Sequence, residues 1–225
     1  GMAAAGDGLY MTTVDGRVIR LAGKGVAPLR KTDKEPVRIA WDQPEDPAYI
    51  LPPVVRKEGD FAKVTRCKVV ASKLGYRLRS TGKKQVSVAL KKLDRPITGS
   101  VTFRTRMKAV ANGQGLLSNG YLAFGDGARD NALIKCGARL RQQQASIIQG
   151  SLLKGKSKGA KISAPDDKGL EIIVKVDLKA QNIVYTANGV TIEAQIQRPL
   201  KSITHVGYAM DSALMDFTPV EVQTP

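Results

Sequence analysis

Residues 169–194 read GLEIIVKVDLKAQNIVYTANGVTIEA. Apolar side chains recur at every second position, Leu170, Ile172, Val174, Val176 and Leu178, with Glu171, Lys175 and Asp177 between them. Successive side chains of a strand point to opposite faces, so this period of two marks a strand with one buried face. Asn188-Gly189 supplies two residues that tolerate positive φ, as a tight hairpin requires. Beyond it, Val190, Ile192, Ala194 and Ile196 share one face, while Thr191, Glu193, Gln195 and Gln197 share the other. The stretch predicts three consecutive antiparallel strands.

The same alternation runs through the chain from Phe61 onward. Residues 61–71 read as one strand. Residues 76–80 and 85–90 flank a turn at Gly82, with Val86, Val88 and Leu90 as the inner face of the second. Residues 99–110 place Val101, Phe103, Thr105, Met107 and Ala109 inside, with Thr102, Arg104, Arg106 and Lys108 outside. Residues 116–124, 132–140 and 145–149 continue the series. A loop is expected over 150–168, and strands over 204–210 and 214–222 close the chain. No segment sustains a 3.6-residue period. Many short strands with regular turn signals predict an all-β sandwich or barrel.

The first fifty residues differ. Residues 9–13 and 17–21 are short strand candidates around Asp15-Gly16, a hairpin signal. Residues 22–37 combine Gly23, Gly25, Pro28 and Pro36 with many charges and read as linker. Residues 41–53 are irregular, with Pro44, Pro47, Pro52 and Pro53, and hold the one tryptophan, Trp41, expected to cover a core edge. The expected organisation is therefore a hairpin over 1–21, a linker and lead-in over 22–53, and a β-sandwich over 54–225.

Thirty-six Lys and Arg against 20 Asp and Glu give a net charge of +16. Such a charge attracts polyanions without sequence specificity. The basic residues are spread over every segment rather than massed, which is the pattern of a basic solvated surface. No apolar run is long enough to cross a membrane as a helix. Cys67 and Cys136 are the only cysteines. Two cysteines so far apart form neither a zinc nor a redox motif. They pair only if the fold brings their strands together, and otherwise serve as small core residues.

From Phe61 to Val222 the order of pieces resembles the concanavalin A-like lectin/glucanase jelly roll, nearest to its laminin-G-like branch and the related 3-keto-disaccharide hydrolase domains of environmental bacteria. The residues that carry the resemblance are Val101 to Met107, the run Gly120-Tyr121-Leu122-Ala123-Phe124-Gly125, Leu170 to Asp177 followed by Ile183 to Tyr185 and Asn188-Gly189-Val190, then Ile203 to Tyr208 and Met215 to Val222. Leu170 departs from the pattern, which usually has an aromatic there. The resemblance implies an all-β jelly-roll β-sandwich behind an N-terminal hairpin and linker. It also implies a non-catalytic carbohydrate-binding or accessory domain of a larger exported bacterial protein, periplasmic or extracellular. A glycoside hydrolase of the keto-disaccharide type is the alternative it leaves open. Asp7-Gly8, Leu9-Tyr10, Asp15-Gly16 and Val18-Ile19 resemble the closing strands of a PQQ-like β-propeller blade. That second resemblance implies a longer parent protein, and a structural role beside a propeller as a further alternative. Fold alone does not assign activity.

Chemistry on this chain is sparse. Gly150 to Ser157 matches the pattern G-x-x-x-x-G-K-S, but a phosphate cradle needs a helix starting at Lys156. Lys158-Gly159-Ala160-Lys161 is poor helix, so a basic surface loop is the expectation. Glycoside hydrolysis needs two carboxylates beside the bond. No acidic residues stand two apart on one strand as glucanases of this fold carry them, which leaves the loop acids Asp126, Asp130 and Asp211 as catalytic candidates. Asp177 and Asp211 are also natural turn formers. Asp126, Asp130 and Asn131 form the one calcium candidate; no other cofactor is expected. A single histidine, His205, leaves no multi-histidine metal centre, and its strand neighbours mark it as a sheet residue rather than a member of a Ser-His-Asp set. Arginine favours bidentate contact with carboxylate, sulfate or phosphate. Arg104, Arg106 and Lys108 on one strand, with Arg139 and Arg141 on another, are therefore the ligand-binding candidates, able to hold an acidic polysaccharide if their strands adjoin. Nucleic acid is disfavoured, because stacking aromatics do not interleave with this basic face.

Overall fold

The computed structural model describes the backbone of residues 2–5, 8–12 and 18–21, and residues 55–82, 85–110 and 117–225 with their side chains. The chain divides into two units, 1–52 and 53–225. The first contains β1 (Met2–Ala5), β2 (Gly8–Thr12) and β3 (Val18–Leu21) in one antiparallel sheet. Leu9 pairs with Leu21 and Met11 with Ile19, so the expected hairpin gains a third strand. The Asp15-Gly16 turn, the linker and Trp41 lie outside the described residues.

The second unit starts with β4 (Lys63–Thr65), β5 (Cys67–Ser72), β6 (Gly75–Ser80), β7 (Val86–Ile97) and β8 (Ser100–Ala109). It continues with β9 (Asn119–Gly125), β10 (Leu133–Arg139), β11 (Gln144–Gln149) and β12 (Lys156–Lys161). The meander follows as β13 (Leu170–Asp177), β14 (Asn182–Ala187) and β15 (Val190–Gln195). The last strands are β16 (Ile203–Asp211), β17 (Leu214–Phe217) and β18 (Glu221–Gln223). They form two antiparallel sheets. One runs β12-β11-β10-β9-β16-β7-β4; the other runs β15-β14-β13-β8-β17-β6-β5, with β18 added to β8. Distant strands lie side by side, β8 between β13 and β17 and β16 between β9 and β7, as in a jelly roll.

The main core lies between the sheets. The inward residues of the meander, Leu170, Ile172, Val174, Val176, Ile183 and Tyr185, all belong to it and are buried. The hairpin at Asn188-Gly189 has φ of 49° and 79°, the double positive φ that matches the twist of two flanking strands. Val101, Phe103, Thr105 and Met107 of β8 point inward and are buried, as their alternation predicts. The rings of Tyr208 and Phe217 stack at 4.4 Å between centroids and join the two sheets through the core.

Four strand expectations change. Residues 61–71 are two strands: Arg66 takes φ of 56°, and the chain leaves one sheet as β4 and enters the other as β5. Val88 and Leu90 face away from the main core, with Ala89 as the inward residue. They join Tyr121, Ala123, Leu133, Ile148 and Ala209 in a second apolar cluster on the other face of the seven-stranded sheet. The residues of that cluster are as buried as those of the inner face, so a run of apolar residues does not reveal which side is inside. Residues 156–161 form β12 rather than loop, and residues 214–222 break at Thr218-Pro219 into β17 and β18. Cys67 and Cys136 are buried, free and on opposite sheets.

Candidate functional site

The second face of the seven-stranded sheet has a defined register. Ala209 of β16, Tyr121 of β9, Gly137 of β10 and Ser146 of β11 lie in one row. A Cβ on Gly137 would stand 2.8 Å from Tyr121 Cδ1, so the tyrosine ring lies over the position where glycine has no side chain. The phenol thereby lies within reach of the side chains of Arg139 and Ser146, which favour its ionised form. Burial raises its pKa, and the Arg139 guanidinium opposes that rise.

Two residues further along the strands, Asn119, Arg139 and Gln144 form the next row. A short 3-10 turn, Leu140–Gln142, follows β10 and is tied back by the Leu140 N–H, which donates to the Ser118 carbonyl at 2.8 Å. It carries Arg141 and Gln142 to the edge of the row. Asp211 ends β16 on the neighbouring side, its Oδ1 accepting the Ser212 hydroxyl at 2.9 Å. These pieces enclose a cleft of about 280 Å3 lined by Leu117, Asn119, Arg139, Arg141, Gln142 and Asp211, with Ser118 at its wall.

Asn119 decides what the cleft can do. It is 6% exposed, and among the described residues its side-chain Oδ1 has no hydrogen-bond partner. Leaving a buried acceptor unsatisfied costs about 1–3 kcal/mol, a cost that a donor entering the cleft removes. Arg139 and Arg141 offer fixed forks of N–H donors, Asp211 an acceptor, Gln142 both, and Leu117 an exposed apolar surface. The set suits a ligand that carries hydroxyls and lone pairs around a small apolar body.

Of the residues expected from sequence, Arg139, Arg141 and Asp211 meet in this cleft. Arg104, Arg106 and Lys108 do not join them: β8 belongs to the other sheet, so the two arginine sets do not share a surface. Arg106 pairs with Glu171 at 3.5 Å, and Lys108 Nζ donates to the Asp167 carbonyl at 2.6 Å. Asp126, Asp130 and Asn131 follow the far end of β9, and six residues at about 3.3 Å each put roughly 20 Å between the ends of that strand. The separation exceeds the about 9.5 Å that spans the carboxyl pair of a glycosidase, so Asp211 and the 126–130 acids are not such a pair.

Asp130 also has a structural engagement. Its carboxylate lies 2.7 Å from the ammonium of Lys135, a side chain with no exposure, and accepts the Leu152 N–H at 3.2 Å. Lys135 donates further to the carbonyls of Asp130, Leu133 and Gly150. This knot fastens the 126–132 turn and the 150–155 loop beside the second cluster. Among the described residues, no three His, Cys, Asp or Glu side chains converge as a metal set. Lys156 and Ser157 begin β12, so no helix stands behind the glycine-lysine loop. Asp177 accepts the Lys179 and Ala180 N–H groups, a turn-forming role. His205 sits in β16 with Nδ1 2.8 Å from Thr204 Oγ1.

Asn119, Gln142 and the Tyr121–Gly137 pair were not expected as site residues. The signal for Asn119 was its parity: it shares a strand face with Tyr121 and Ala123, opposite Leu122 and Phe124.

Two antiparallel sheets in this strand order give the unit the concanavalin A-like jelly-roll β-sandwich fold. The carbohydrate binding module CBM66 from Bacillus subtilis superposes with a TM-score of 0.53 at 15% identity, over 72% of this chain and 94% of that one. A homodimeric agglutinin from chicken liver gives 0.44 at 8% identity over 62% and 100% of the two chains. Toad ovary galectin in complex with thio-digalactose gives 0.43 at 14% over 60% and 98%. The fold assignment rests on the first of these. No family model matches the chain, and no curated protein matches it in sequence.

Proposed function

We propose that residues 53–225 form a non-catalytic carbohydrate-binding domain and that sugar binds in the cleft at Asn119. The observation that carries this is the buried Asn119 Oδ1, without a partner among the described residues, opening onto Arg139, Arg141, Gln142 and Asp211. Sugar recognition requires hydroxyls to be met by acceptors and donors at once, and planar polar side chains supply both. The shared fold with a carbohydrate binding module supports the reading. So does a single carboxylate among the residues lining the cleft, which suits binding better than acid–base cleavage.

In its finer form, the glycan is acidic and the domain belongs to a larger exported bacterial protein that works in the periplasm or outside the cell. The net charge of +16 and the two arginines of the cleft support an acidic ligand. A glycan array probed at low and high salt with the wild type and Arg141→Ala tests both levels. Binding to defined glycans that Arg141→Ala weakens is expected. Absence of binding to any glycan overturns the reading, and salt-insensitive binding to neutral glycans overturns its acidic form.

A further inference from the structure

The cleft's own inventory narrows the ligand further, on the premise that it binds sugar at all. Among the described residues, two guanidinium groups and one carboxylate leave a single net positive charge on the side chains that line it. A monoanion balances that charge, whereas a dianion meets Asp211 unfavourably. Arginine forks match the two coplanar oxygens of a carboxylate. The second requirement comes from Asn119. Its Oδ1 accepts and cannot donate, so the ligand must also bring an O–H or N–H donor to the buried wall. The anionic group itself, carboxylate or sulfate ester, brings no donor, so a ring hydroxyl must supply it. A ring hydroxyl next to a carboxylate meets both needs in one residue. At about 280 Å3 the cleft is smaller than the about 300–1,000 Å3 of sites for larger ligands, so it takes one ring rather than a chain laid across it.

We propose that the cleft receives a single hexuronic-acid residue, as a free sugar acid or the end of a glycan, with its carboxylate on Arg139 and Arg141 and an adjacent hydroxyl donating to Asn119 Oδ1. Asp211 accepts a second hydroxyl, and the C–H face of the ring rests on Leu117, 41% of whose surface is exposed.

Calorimetry on the full chain tests this with methyl glucuronide and methyl galacturonide, their methyl esters, the neutral methyl glucoside and galactoside, and a glucose sulfate. At least one uronide is expected to bind, with its methyl ester and the neutral glycoside weaker by about tenfold or more. Arg141→Ala, an exposed position, is expected to bring the uronide down to the level of its ester. Asn119→Ala is expected to weaken the uronide; Asn119→Asp serves as the second variant at this buried position, its charge repelling the uronide. Equal binding of uronide and neutral glycoside, both lost in Asn119→Ala, leaves the carbohydrate reading standing and overturns the uronate assignment. Stronger binding of the sulfate than of either uronide overturns it too. Absence of binding to every sugar overturns both.

Discussion

The ring of Tyr121 lies across Gly137 of the neighbouring strand, and that contact positions the Arg139 side of the cleft. A Cβ on Gly137 would stand 2.1 Å from the Gly120 carbonyl oxygen as well as 2.8 Å from Tyr121 Cδ1. Backbone as well as side chain would have to move. Gly137→Ala is therefore expected to destabilise the domain by about 1–3 kcal/mol, the usual cost of overpacking. Denaturant unfolding measures it, and an unchanged midpoint would show that the ring does not need the glycine.

Lys135 and Asp130 form the knot under the 126–132 turn. Breaking a buried ion pair from one side typically costs about 3–5 kcal/mol, because the partner stays charged without compensation. Asp130 is 26% exposed, which places Lys135→Met at the lower end of that range. The double substitution Lys135→Met, Asp130→Asn is expected to cost less than the sum of the singles. Additive effects in a double-mutant cycle would sink this account of the knot.

Both thiols are expected to be silent in the native protein. Burial pushes the Cys67 thiol up to about 12, and complete burial raises Cys136 as well. The reactive species is the thiolate. Ellman's reagent in mildly alkaline buffer should therefore detect neither cysteine in the folded chain and both after unfolding in guanidinium chloride. Rapid native reaction of either would contradict the packing described for β5 and β10.

His205 is expected to titrate below the ordinary histidine value of about 6.5. Partial burial lowers its pKa first, and the charges of Lys92 and Lys63 lower it further. A depressed folded pKa means that the neutral ring is favoured in the fold. Its contribution to stability is present above the unfolded value and is lost as pH falls through the folded one. Proton NMR of the single histidine gives the midpoint directly. Lys92→Gln should raise it, and no shift would remove Lys92 as a cause.

The fold was legible because period two is a property of neighbouring residues. The alternation of 170–178, the Asn188-Gly189 turn and the inward set of β8 each declare themselves within ten residues of chain. What local pattern leaves open is which of two apolar faces is inside: Val88 and Leu90 alternate perfectly and still face away from the main core. Nor does it show where a strand changes sheet. The break at Arg66 depends on one residue in the left-handed region, and arginine carries no bias toward that conformation.

The cleft was half legible. Arg139, Arg141 and Asp211 stood out by chemical type. Arg104 and Arg106 stood out equally, and strand order alone puts them on the other sheet. Asn119 has no distinguishing chemistry in the sequence. It becomes informative through burial without a partner among the described residues, which arises only when β9, β10 and β16 are side by side. The sequence by itself determined an antiparallel β-sandwich, since side-chain alternation is local and hydrophobic burial enforces it. The tertiary structure alone decided which polar residues converge, since strands far apart in the chain become neighbours only through the register of the closed sheets.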